Sequence, residues 1–166
     1  VTLASHRFLD KKYFVGNLRQ LLEQAMMFLK ANLHNIQTDD TFNTPGRLEI
    51  PLQALEEAMV NALIHRDYYI SASIKIFIFD DRVEIVSPGK LPNSLTVEKI
   101  KSGLSIARNP ILHSIAPFVL EYSGFGTGIE RIMTLCPAAR FENDTAVELF
   151  ACVIPRSDAR AIEDGA

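Results

Sequence analysis

The sequence predicts an α/β (α+β) domain, a two-layer sandwich with a mostly antiparallel sheet and helices on one face. Three observations predict it. β-rich runs arrive as neighbouring pairs, "SIKIFIF" with "RVEIVS" and "ARFE" with "AVELFACVI". Helix-patterned stretches lie before and between those pairs, without the strict strand–helix alternation that builds parallel sheets. A length of 166 residues suits one domain with a real core.

Along the chain, residues 1–14 read as the tail of a preceding unit, 15–156 as the domain and 157–166 as a polar tail. The start on Val, in mid-pattern, leads us to expect a piece of a longer protein. "NLRQLLEQAMMFLKANL" carries Leu18, Leu21, Leu22, Ala25, Phe28, Leu29 and Leu33 at helical spacing, with Asn17 and Gln20 placed as an N-terminal capping pair. A turn-rich stretch punctuated by Pro45-Gly46 ends in a short strand. From Pro51 a helix is expected to about His65. The first strand pair then turns at Asp80-Asp81, and "SPGKLP" makes a sharp loop. "TVEKIKSG" is a short helix with Thr96 near its start, "NPILHSIAPFVL" a second, "GFGTG" a glycine loop and "IERIMTL" a third. The last strand pair is expected to turn around Asn143-Asp144.

Apolar residues make up 48% and charged residues 22%, with net charge −3 and a pI near 5.8. No long Lys/Arg run stands out, so DNA binding by this segment is not expected. Cys136 and Cys152 lack CxxC spacing and sit among apolar neighbours, which predicts buried free thiols and a reducing, cytoplasmic setting. No apolar run approaches the roughly 20 residues of a membrane span, so no membrane partner is expected.

The chemistry-bearing residues concentrate in "EEAMVNALIHRDYY". Glu57, Asn61 and His65 are spaced four apart and share a helical face, while Leu55, Met59, Ala62 and Leu63 lie largely on the side that meets a core. Two readings of that polar face follow from spacing alone. It is either a solvated surface with one tolerated Asn, or a catalytic face with a carboxylate to polarise water and an amide oxygen to ligate Mg²⁺. "HRDYY" is not a protein-kinase catalytic loop, because Ala72 stands where that loop has its metal-binding Asn. Arg66 and Asp67 are expected to end the helix and pin the following turn. Gly124, Gly126 and Gly128 precede a helix whose free N–H groups suit an anion, although neither a Walker A nor a GxGxxG pattern is present. "ARNP" reads as a polar helix start, and His113 as a core or surface residue.

In order, "NALIHRDY", "VSPGKLP", "RNP" and "GTGIERI" resemble the C-terminal ATPase-like domain of RecG-related ATP-dependent DNA helicases and transcriptional regulators, which usually carry a Schlafen/AlbA-type domain before it. The similarity covers roughly residues 12–156. It implies the Bergerat (GHKL) fold, with ATP and Mg²⁺ as cofactors. Glu57 then matches the acid that activates water, and Asn61 the Asn that holds Mg²⁺. Gly89 falls in the first glycine box, and Gly124, Gly126 and Gly128 in the second, with His65 and Thr127 also on the cofactor-binding side. Nucleotide-binding members carry an adenine-reading Asp in the first box, where this chain has Ser87 and Pro88. The chain has neither the P-loop Lys nor the DExx acid of a helicase motor. The resemblance thus implies a Mg-ATP-binding module with slow or no hydrolysis, alternatively a non-catalytic dimerisation or regulatory module. DNA would be contacted through other domains of the full-length protein, and a homo-oligomer is among the expected assemblies.

Overall fold

The structure is a computed structural model that describes residues 10–36, 46–92, 94–120 and 127–156. Helix α1, Leu18–Asn32, opens on the expected capping box: Asn17 accepts from the Gln20 amide, and the Gln20 side chain accepts from the Asn17 amide. Two of the orphan N–H groups of the first turn are thereby satisfied. Short strands β1, Asn35–Ile36, and β2, Arg47–Leu48, pair antiparallel. Helix α2, Leu52–His65, starts on Pro51, whose φ of −54° already suits a helix and whose missing N–H costs nothing there.

The main sheet follows from β3, Lys75–Ile78, β4, Arg82–Pro88, β5, Arg140–Asp144, and β6, Leu149–Pro155. Its order is β3-β4-β6-β5, antiparallel throughout. Between the strand pairs lie α3, Val97–Lys101, α4, Pro110–Val119, and α5, Gly128–Leu135.

One sheet face carries the core. Ile85, Cys152 and Phe141 lie in one cross-strand row, with Val83 opposite Ile154 in the next. All five are buried against Leu55, Met59 and Ile132 of α2 and α5, together with Leu29 of α1. Helices on one face of an antiparallel sheet are thus the observed architecture, as the paired runs imply. The opposite face keeps a small apolar cluster of Val86, Ala151 and Val153. A buried ion pair ties the small sheet to the large one: Arg156 Nη2 lies 2.8 Å from Glu49 Oε1 and its Nη1 donates to Phe79 O at 2.7 Å.

Two expectations need correction. The last hairpin does not turn at Asn143-Asp144, because β5 runs through both and the turn is 145–148. The Asp144 carboxylate accepts from the amides of Ala146 and Val147, and Glu148 takes φ +54°, so the side chain organises the turn that follows it. Cys152 is buried as expected, its thiol pushed up to about 12 chiefly by burial, whereas Cys136, at the end of α5, is only partly buried. No helix among the described residues is long and apolar enough to cross a membrane.

Candidate functional site

The face of α2 that carries Glu57, Asn61 and His65 is not a solvated surface. Glu57 is 2% exposed and Ile64 likewise 2%, and the whole row lines a cavity of about 120 Å³. Its other walls come from Ile85 and Ser87 of β4, the loop after β4, the segment after α3, and the start of α5. Leu55, Met59, Ala62 and Leu63 are buried in the core as their spacing predicts.

At one end of the cavity α2 meets the start of α5. A Cβ on Gly128 would lie 2.8 Å from both Glu57 Oε2 and Asn61 Nδ2, so only glycine lets the two elements approach this closely. The structure therefore brings three of the sequence-predicted site residues together. Burial raises the Glu57 pKa, and the Arg131 guanidinium, paired with Glu57 Oε1, opposes that shift. Asn61 Nδ2 is buried and has no hydrogen-bond partner among the described residues. A buried orphan amide marks a place where a further polar group fits, and rotating the amide about its last bond exchanges its oxygen for that nitrogen. The donor set here, a neutral amide beside a carboxylate, fits a hard cation such as Mg²⁺. Among the described residues no group of three or more His, Cys, Asp and Glu side chains is placed to hold a metal by itself. Thr127 occupies the N-cap position of α5, where Arg131 Nη2 reaches its hydroxyl at 3.4 Å. Gly124 and Gly126 lie outside the described residues.

The other end is a hydrogen-bonded knot. Gly89 takes φ +104°, a conformation other residues rarely adopt, and a Cβ there would meet Asp67 Cβ at 2.7 Å. The Asp67 amide donates to Pro88 O at 2.8 Å, and its carboxylate accepts from Tyr69 N and, at 2.8 Å, from Arg108 Nη1. Arg108 Nη2 also donates to Lys90 O. Asn109 caps the end of α2 by donating to Ile64 O and Arg66 O, each at 2.8 Å. Asp67 thus does more than pin its own turn, since it joins the helix exit to two distant loops. Arg66 does stay local, donating to Ala72 O at 2.7 Å.

Ser87 is buried, and its hydroxyl donates to Ala62 O at 3.1 Å. His65 and His113 face each other with ring centroids 6.2 Å apart. Burial first, then the charges of His113 and Arg108, lower the His65 pKa to about 4, so this imidazole is neutral near pH 7. Sequence reasoning did not reach Arg131, Arg108, Asn109 or the place of His113 on the cavity wall. For Arg131 a signal existed: it lies three residues after Gly128, on the helical face that turns toward α2. Arg108 and Asn109 gave none beyond the "ARNP" resemblance, because their partners lie more than forty positions away in Asp67 and Ile64.

Comparisons with known proteins bear on the family and the fold. Residues 71–146 match the family described as "Putative ATP-dependent DNA helicase recG C-terminal". The matched segment contains Ser87, Gly89, Arg108, Gly128 and Arg131, and begins after the helix that carries Glu57 and Asn61. Among solved structures, the DIP2311 protein from Corynebacterium diphtheriae superposes with a TM-score of 0.71 at 26% identity over 82% of this chain. This chain spans 29% of that protein's length. No curated protein matches it. Over residues 71–146 the chain is thus similar to RecG C-terminal, ATPase-like domains.

Proposed function

We propose that this domain binds Mg-ATP, with Glu57 as the carboxylate that activates water and Asn61 as the Mg²⁺ ligand. The observation that carries this reading is the meeting of Glu57 and Asn61 with Gly128, inside one cavity and within 2.8 Å of a missing Cβ. Gly128 begins α5, and the free N–H groups of that first turn suit a phosphate. Gly89, Gly124, Gly126, Thr127 and His65 complete the cofactor-binding set. Mg²⁺, when bound, supplies charge neutralisation for the phosphate oxygens. The chain's own part is to hold the metal side through Asn61, to offer backbone donors at the α5 start, and to keep Glu57 out of bulk water. Hydrolysis on this reading is slow, because the Glu57 carboxylate already answers to Arg131. No helicase motor is assigned to this segment. The whole protein would act in the cytoplasm, as a regulator that contacts DNA through other domains and assembles as a homo-oligomer.

A second reading has its own support. The Ser87 hydroxyl, at the position of the adenine-reading acid, is already donating to Ala62 O. The alternative is therefore a domain that has kept the fold as a non-catalytic dimerisation or regulatory module.

Thermal denaturation with Mg-ATP separates the two. The first reading expects a clear rise in Tm at millimolar nucleotide, as mass action requires of any ligand bound only by the native state. It also expects Glu57→Gln to keep binding while losing phosphate release. An unchanged Tm, together with a dimer by light scattering, would favour the second.

A further inference from the structure

Arg131 enters the reading above only as the partner that occupies Glu57, the residue on which that reading turns. It stands in the first turn of α5, four residues after Thr127. Its Nη1 holds Glu57 Oε1, and its Nη2 reaches Thr127 Oγ1 at 3.4 Å. The two ends of this pair differ sharply in exposure, 43% for the Arg131 side chain against 3% for that of Glu57. The carboxylate is fixed in the interior, while the guanidinium stands partly in water at the start of α5.

We propose that Arg131 is an anion-responsive positioning residue that covers the Glu57 carboxylate in the ligand-free domain and passes to a polyphosphate bound at the start of α5. The inference rests on the nucleotide reading, and it ties phosphate binding to the uncovering of Glu57. Three arguments carry it. A guanidinium has five donors in one plane and matches phosphate oxygens as well as carboxylate oxygens, so exchange between them keeps its hydrogen bonds. Being half in water, it moves at low desolvation cost, whereas the buried carboxylate cannot follow it. Phosphate oxygens at the α5 N-terminus would lie beside Thr127, which the guanidinium already reaches. A bridge serving only to join α2 to α5 would be indifferent to anions.

Calorimetric titration of magnesium tripolyphosphate, and separately of Mg-ATP, into four proteins tests it: wild type, Glu57→Gln, Arg131→Gln and the double variant. Glu57→Gln removes the competitor and should bind tripolyphosphate about tenfold more tightly than wild type, the scale of coupling between contacting charged residues. In the Glu57→Gln background, Arg131→Gln should cost about tenfold or more, and there no buried carboxylate is left unpaired to endanger the fold. With Arg131 already replaced, Glu57→Gln should no longer tighten binding. Equal affinities of Glu57→Gln and the double variant would overturn the proposal, as would Glu57→Gln binding no more tightly than wild type. In both cases wild-type affinity for Mg-ATP would leave the nucleotide reading standing. A wild-type protein that binds neither ligand overturns both.

Discussion

The two ends of the cavity are built on opposite principles. Where α2 meets α5, polar groups are buried with demands left over: Asn61 Nδ2 has no partner among the described residues, and Glu57 sits in the interior against its charge preference. Where α2 meets the loop after β4, most hydrogen bonds are spent: Ser87 on Ala62 O, Asp67 on Arg108 and Tyr69, Asn109 on two helix carbonyls, although Arg66 Nε at the helix exit has no partner among the described residues. A satisfied network fixes shape, whereas an unsatisfied buried group stores binding capacity. On the proposed reading the first end receives the ligand, and the second holds the helix in place.

The largest effect should come from closing the receptive end. Gly128→Val puts a branched side chain where a single Cβ is already 2.8 Å from two buried polar atoms. Overpacking of this kind costs about 1–3 kcal/mol, and the displaced Glu57 and Asn61 should leave no measurable Mg-ATP binding. Calorimetry and a melting curve on the same sample check both parts. A Gly128→Val protein with wild-type affinity would show that this end is not the receiving one.

Next in size is a pH effect at the spent end. The folded His65 pKa, about 4, lies below its ordinary value of 6.5. Between those values the unfolded chain takes up a proton that the folded chain refuses, so stability falls as pH drops through this window and levels off below it. The full effect is on the order of 3 kcal/mol. Glu57, with its raised pKa, works with the opposite sign, losing stability as pH rises through its folded value. Chemical denaturation at several pH values between 4 and 7 should therefore show a steeper loss in wild type than in His65→Gln. Parallel curves would mean that His65 is not held neutral by its surroundings.

How much of this could be read from the chain depends on how far each partner lies in sequence. The α1 capping box, the α2 limits and the strand pairing are local or nearly so, and period and capping chemistry expose them. The shift of the last turn to 145–148 escaped because Asp144 acts forward on Ala146 and Val147, whereas Asn-Asp within the run looked like the turn itself. On the site, spacing put Glu57, Asn61 and His65 on one face but could not tell a wet face from a buried one. That difference is made by Gly128 and the α5 packing, some seventy residues on. For Arg131 the spacing from Gly128 was a signal, but the carboxylate it pairs with lies 74 positions away, so spacing alone did not reveal the partner.

A smaller effect tests whether the knot serves the receptive end at all. Arg108→Ala removes the hydrogen bonds to Asp67 and to Lys90 O, a partly buried charged pair whose loss should cost about 1–3 kcal/mol. If the knot only sets shape, Mg-ATP affinity should fall severalfold through a loosened loop at Gly89, without loss of the Glu57-dependent turnover. Affinity abolished outright would make Arg108 a direct ligand contact and erase the contrast between the two ends.

The smallest expected effect lies at Ser87, where the comparison is most exposed to refutation. Its hydroxyl donates one neutral hydrogen bond to a helix carbonyl, worth about 1 kcal/mol, so Ser87→Ala should lower the unfolding free energy by that amount. Because the donor is committed to Ala62 O, the same change should move Mg-ATP affinity by less than about threefold, a difference of roughly 0.6 kcal/mol. Ser87→Asp makes the sharper case. A buried carboxylate facing the Ala62 carbonyl has no proton to donate, so it should destabilise the domain by more than alanine does. It should not improve discrimination between ATP and GTP. A carboxylate here that did raise preference for ATP would mean that the Ser87 position still faces the base, and that the second end of the cavity keeps a receptive surface beneath its network.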